Sequence, residues 1–124
     1  NSFHVNSFFI GHNVRHTLTA GNGSYTPVFL SELPLLFKRN IVALDVAMIH
    51  VSVPDKHGYC SLGVSIEATL AAIANAKVVI AQVNKQMPRT HGDGLIHISE
   101  INSFVECDIP LPTLNFDAPS ETEN

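Results

Sequence analysis

The run from Ile41 to Val53 constrains the architecture of this chain more than any other stretch. Its apolar residues fall on both alternating sets, Val42, Leu44, Val46 and Met48 on one and Ala43, Ala47, Ile49 and Val51 on the other. Side chains in a strand point alternately to opposite faces, so such a strand is expected to be buried on both. That is the habit of sheets covered on each side by helices. Val78 to Val83 is a second strand of this kind, with shorter ones at Leu95 to Ile98 and Phe104 to Cys107. Between them, Ser65 is placed to cap a helix from Ile66 to Ala76, whose Leu70, Ile73 and Ala74 form an apolar stripe.

The first forty residues are more broken. Val5, Phe8, Phe9 and Ile10 read as a short strand ended by Gly11, and Asn13 as the cap of a helix through Ala20. Residues 21–27 are dense in turn formers. They lead to a short helix that Ser31 is placed to cap, with Pro34 in its first turn and Lys38 and Arg39 at its end. Pro54 to Gly58 reads as a turn and Tyr59 to Leu62 as a strand returning from it. Strands alternating with helices across short connections predict an α/β fold, a mainly parallel or mixed sheet flanked by helices. Residues 1–112 form the domain on this reading. The Pro-, Thr-, Ser- and Glu-rich residues 113–124 form an extended or disordered tail.

Only 15% of the 124 residues are charged, against about 25% in an ordinary domain, although 45% are hydrophobic. So little charge predicts a surface partly covered by something else, as in a segment of a larger protein or a homo-oligomer. The net charge of −4 and the lack of a basic cluster argue against nucleic acid and acidic membrane surfaces as partners. No apolar run is long enough to span a bilayer. Cys60 and Cys107 have no CxxC spacing and read as reduced thiols of a cytoplasmic protein.

The candidate chemistry lies in loops. Asn84 to Gly94 interrupts two apolar runs with Pro88, Arg89, His91, Gly92 and Asp93. Loops that leave buried strands are where α/β proteins usually bind ligands. Arg89 and His91 there suit an anion; alternatively, Arg89 pairs with Asp93 and only braces the loop. Ser24 and Tyr25 are weaker candidates on the 21–27 loop, which lacks a phosphate-binding frame. Seven histidines are present, His12 and His16 among them at helical spacing, but there is no HExxH and no third ligand, so no metal site is expected. Glu67 and Glu32 suit helix starts, and Asp45 suits a structural acceptor at the head of its strand. No self-sufficient catalytic set emerges.

In combination the motifs say more. Asp45 to Ser52, Pro54 to Gly63, Ala81 to Asn84 and Met87 to Asp93, with Tyr25 to Pro34 upstream, resemble the acetyl-CoA hydrolase/transferase family, and within it the 4-hydroxybutyrate CoA-transferase branch. The similarity runs from about Phe8 to Pro112. It implies two similar α/β domains with an acyl-CoA and a short-chain carboxylate bound between them. It further implies ping-pong transfer through a glutamyl-CoA thioester, with no metal and no bound cofactor, coenzyme A thioesters being the substrates. Nothing here matches the family's catalytic glutamate or the Gly-rich segment of its C-terminal half, so neither Glu67 nor Glu100 is given that role. The chain reads as the later part of a CoA-transferase N-terminal domain, inactive alone and completed by a C-terminal domain. Arg89, with His91 and the Gly92 N–H, is then expected near the substrate carboxylate or the thioester. Hydrolysis of acetyl-CoA is the alternative within the family, and a non-catalytic ligand-binding or interaction domain is the alternative outside it.

Overall fold

A computed structural model describes residues 3–114. Its centre is a parallel sheet of β3 (Leu44–Val51), β5 (Ala76–Asn84) and β7 (Ser103–Cys107), in the order β3-β5-β7. The central strand pairs Met48 with Ile80 on one side and Gln82 with Val105 on the other. Two further pairs stand apart from it. β1 (Val5–Ser7) and β2 (Gly23–Tyr25) are parallel and joined through α1 (His12–Thr19), while β4 (Tyr59–Ser61) and β6 (Leu95–His97) are antiparallel. The remaining helices are α2 (Leu33–Lys38) and α3 (Thr69–Asn75), with a 3₁₀ turn at Ile98–Glu100.

The core forms on one side of the central sheet. Ile49, Val51, Val79, Ala81 and Val83 point from it towards Cys60, Leu62 and Ile96 of the β4–β6 layer and Ile73 of α3. A smaller cluster joins Phe37 of α2 to Ala68 and Ala71, with Phe8 packed edge-on against Phe37 at 6.3 Å between ring centroids. The opposite sheet face is open. Met48 is 82% exposed and Val105 63%, and Val46 and Val78 are also exposed. The expectation that both faces of 41–53 are buried is therefore met on one face only, because a single layer of elements packs against this sheet within the described residues. Asp45, expected as a structural acceptor at the head of its strand, accepts from Lys77 Nζ at 2.6 Å, in an ion pair that lies exposed at the surface.

The α/β class with a parallel sheet stands, and several local expectations change. The Tyr59 strand does not return along β3 within one mixed sheet; it pairs with β6, and Ser52, just past the end of β3, bonds Ser61 through its N–H (2.8 Å to the Ser61 C=O) and its Oγ. The stretch 21–27 is not all turn, since Gly23 to Tyr25 form β2. A side chain at 23 would meet the Val5 carbonyl at 2.8 Å, so glycine permits the strands' approach. β1 ends at Ser7 rather than running to Ile10, and Gly11, not Asn13, precedes α1. Ser31 does not cap α2, whose N-cap is Glu32.

α3 starts at Thr69, not Ile66, since Ile66 packs onto the core and 66–69 close as a turn (Thr69 N–H to Ile66 C=O, 2.9 Å). Glu67 therefore lies before the helix instead of in its first turn, and Ala71 rather than Ala74 is buried. Residues 108–114 belong to no helix or strand. The tail expected at 113–124 lies almost wholly outside the described residues.

Candidate functional site

Two loops meet beyond the carboxyl ends of neighbouring parallel strands. After β3, residues 52–58 form a turn organised by Asp55, whose Oδ1 accepts the N–H groups of His57 (2.8 Å) and Tyr59 (2.9 Å). After β5, residues 85–94 pass over it. The guanidinium of Arg89 reaches back, donating from Nη2 to Asp55 Oδ2 (2.7 Å) and from Nη1 to the Tyr59 carbonyl (3.1 Å). Arg89 thus pairs with Asp55 and not with Asp93. Each partner's side chain is about one-third exposed, at 35% and 32%, so the pair lies at the surface. Two of the five guanidinium N–H donors are used in this way, which leaves part of the fork free to meet an anion.

Hydrogen bonds to its charged form hold the Asp55 carboxyl below its ordinary value of 3.8. The Tyr59 N–H is the largest cause; partial burial opposes it, and the His57 N–H and the charge of Arg89 add to it. Below the pair, burial pushes the Cys60 thiol up, with Arg89 opposing and Asp55 reinforcing. A fully buried thiol with a raised pKa is a packing residue rather than a nucleophile.

The backbone of the Arg89 loop is clamped from inside. Ser61, fully buried, accepts the N–H of Thr90 (3.0 Å) and of Gly63 (3.0 Å) on its Oγ, while Thr90 Oγ1 donates to the Gly63 carbonyl (2.9 Å). Ser52 Oγ accepts the Ser61 N–H (2.9 Å). Gly63 has φ +64, and a Cβ there would run into Met87 and the Pro88 carbonyl. At the loop's start the buried Asn84 donates to the Ile109 carbonyl (2.8 Å) and accepts from the N–H groups of Gln86 (3.0 Å) and Ile109 (3.2 Å). Buried polar groups satisfied in this way fix a loop's path, since each would be costly to leave unpaired. On the far flank, Tyr59 packs edge-on against His97, whose Nε2 lies 3.2 Å from the His57 carbonyl.

The anticipated site residues fall into two groups. Arg89, His91 and Gly92 share the clamped loop. His91 and Gly92 are exposed, and Gly92 has φ +100 with open space around its Cα. Ser24 and Tyr25 lie on β2. Ser24 Oγ donates to Asn6 (3.3 Å), with His4 at 3.1 Å, and Tyr25 borders an apolar cleft of about 610 Å³ with Phe8, Phe9 and Ala68. No hydrogen bond or ion pair among the described residues joins the two groups.

Sequence reasoning missed Asp55 as the partner of Arg89, and Ser61 and Thr90 as the clamp. A signal for Asp55 was present, since an aspartate after proline and three residues before a glycine commonly folds its side chain onto the next backbone N–H groups. For Ser61 and Thr90 there was none, because their contact spans 29 residues. Among the described residues no group of three or more His, Cys, Asp or Glu side chains is gathered for a metal, and no helix is long and apolar enough to cross a membrane.

These features define a parallel-sheet α/β domain with a rigid, arginine-bearing loop at the carboxyl edge of its sheet. The chain belongs to the acetyl-CoA hydrolase/transferase family, whose N-terminal domain matches residues 1–113. It is 47% identical over 98% of its length to a succinyl-CoA:acetate/propanoyl-CoA:succinate CoA transferase of Fasciola hepatica. Over 88% of its length it is 50% identical to a 4-hydroxybutyrate coenzyme A transferase of Clostridium kluyveri. Among solved structures, 4-hydroxybutyrate CoA-transferase of Porphyromonas gingivalis matches 91% of this chain and 30% of its own (TM-score 0.74, 36% identity). RipA of Yersinia pestis matches 95% of this chain and 29% of its own (TM-score 0.83, 30% identity). The chain spans about a quarter of the length of the two curated relatives, 26% and 25%.

Proposed function

We propose that this chain is part of the N-terminal domain of a cytoplasmic CoA-transferase that moves coenzyme A between an acyl-CoA and a short-chain carboxylate. The observation that carries the reading is the match along 87–99% of the chain to five relatives, each named as a CoA transferase, for acyl groups that range from butyryl and 4-hydroxybutyryl to succinyl. In the proposed reaction a glutamate outside these 124 residues attacks the thioester, giving a mixed anhydride and CoA thiolate. The thiolate then attacks the glutamyl carbonyl, which releases the first carboxylate and leaves a glutamyl-CoA thioester. A second carboxylate reverses the sequence and departs as its own CoA thioester. Covalent catalysis of this kind splits one difficult exchange into reversible steps. No bound cofactor or metal enters it, and the C-terminal domain supplies the attacking group. The low charge of the chain supports a homo-oligomeric enzyme.

In this reading Arg89 meets the carboxylate of the substrate or the thioester end of CoA, with His91 and the Gly92 N–H beside it. Ser24 and Tyr25 border the same ligand from β2. The free part of the Arg89 fork and the rigidity of its loop support that role, since a planar fork held in place matches a carboxylate.

The test uses the full-length enzyme with acetyl-CoA, with and without a short-chain acceptor. Formation of the acceptor's CoA thioester is expected. Release of CoA at one rate regardless of acceptor would favour acetyl-CoA hydrolysis, the other activity that the family's name carries. Neither product would favour a binding module. Arg89→Ala should raise KM for the carboxylate about 10- to 100-fold, the usual weight of a charge-assisted hydrogen bond. Unchanged kinetics in a folded variant would leave Arg89 as a brace only.

A further inference from the structure

Among the described residues, the Arg89 guanidinium hydrogen-bonds to one short turn only. Both of its partners, the Asp55 carboxylate and the Tyr59 carbonyl, belong to residues 55–59. Wherever that turn sits, the guanidinium follows. The turn closes on itself through Gly58 N–H to the Asp55 C=O (2.9 Å), Asp55 N–H to the Tyr59 C=O (2.9 Å) and the two N–H groups on Asp55 Oδ1. None of these bonds fixes its tip against the rest of the domain. Two contacts from residues 97–98 do so. The Ile98 N–H donates to the Gly58 carbonyl (2.9 Å), and Nε2 of His97 lies 3.2 Å from the His57 carbonyl. The imidazole fits closely, since a Cβ on Gly58 would stand 2.8 Å from Nε2 and the Tyr59 ring lies 5.0 Å away between centroids. Among the described residues, Arg89 and His97 are the only side chains from outside residues 55–59 that hydrogen-bond the turn.

The tautomer of His97 is set from both sides. The Ser99 N–H, which can only donate, reaches Nδ1 (3.2 Å), and the His57 carbonyl, which can only accept, faces Nε2. The proton therefore sits on Nε2, and the neutral ring aims a donor at the turn. The Glu100 carboxylate accepts the His97 backbone N–H (3.3 Å) and so holds the base of the ring. Resting on the reading that Arg89 meets the substrate, we propose that His97 is a positioning residue, whose Nε2–H holds the 55–59 turn and through it sets the Arg89 fork where the substrate binds. His97 itself does not touch the substrate. Its bond spans 40 residues and supplies what the turn's local bonds lack, a fixed place relative to the domain. Displacing a binding group by about 1 Å can cost about 100-fold in rate, so such a tether matters to the reaction.

The test uses the full-length enzyme and two replacements that divide the imidazole between them. His97→Asn keeps an acceptor near Nδ1 and loses the donor at Nε2, while His97→Gln keeps a donor near Nε2 and loses the acceptor. His97→Asn should raise KM for the carboxylate about 3- to 10-fold, the weight of one neutral hydrogen bond, with kcat within about twofold. His97→Gln should restore KM to within about twofold of wild type, since the donor is what the turn needs. In an Arg89→Ala background His97→Asn should change KM by less than about twofold, because its effect passes through Arg89. An equal rise in both backgrounds, or a Gln variant as impaired as the Asn variant, would overturn the proposal. Hydrogen exchange read by mass spectrometry follows the turn without reference to activity. Amides of residues 55–59 should exchange about 3- to 10-fold faster in His97→Asn than in wild type, and unchanged exchange would overturn the proposal. Faster exchange beside an Arg89→Ala variant with normal KM would keep His97 as the tether and overturn the substrate role of Arg89 instead.

Discussion

Asp55 is where one side chain does most to shape the candidate site. Its Oδ1 closes the turn after β3 and its Oδ2 holds Arg89, so the two loops are joined through one carboxylate. Asparagine can still close the turn but cannot form the ion pair, whereas alanine loses both. Asp55→Asn should therefore lower the urea midpoint less than Asp55→Ala. The pH dependence follows from the lowered carboxyl value. A group whose folded pKa lies below its unfolded one contributes stability above the unfolded value and loses it as pH falls through the folded value. The difference between wild type and Asp55→Asn should be full at neutral pH and shrink below about pH 4, where carboxylates take up protons. A difference that stays constant down to pH 2 or so would place the effect elsewhere than in the charge. Most of this was not legible in the sequence. Arg89 and its loop were apparent from the break in the apolar pattern, but Asp93, four residues away, was as reasonable a partner as Asp55.

Among the elements, the strand-end loop owes its shape to β4 beneath it. Ser61 bonds two backbone N–H groups from two different segments, and no water reaches it. Ser61→Ala would leave both donors unpaired in the interior and should cost about 2–4 kcal/mol of folding stability in a denaturant titration. Gly63→Ala combines a left-handed backbone with a collision against Met87 and should cost on the order of 2–4 kcal/mol. If Arg89 acts only when its loop is fixed, Ser61→Ala in the full-length enzyme should also raise KM for the carboxylate while the protein remains folded. The β4 strand itself was legible from Tyr59 to Leu62, but its partner was not. Chain proximity points to β3, and the actual partner is β6, which lies beyond a helix, a strand and a loop.

At the level of the whole molecule, the open sheet face dominates what an isolated segment would do. A 124-residue chain with Met48 and Val105 uncovered should self-associate with rising concentration in sedimentation velocity, and Met48→Lys with Val105→Lys should shift it towards monomer. On the proposed mechanism the same segment should transfer no CoA, since the attacking glutamate is not part of it. Hydrophobic periodicity by itself determined that the chain is α/β, where its main strands and its polar loop lie, and that the central strand has apolar residues on both faces. These are local properties, written in the alternation of neighbouring residues. Only the tertiary structure decided that one of those faces is uncovered, that β4 pairs with β6, and that Arg89 reaches Asp55 across 34 residues. Each of these depends on the register and order of strands distant in sequence, and no local period carries that information.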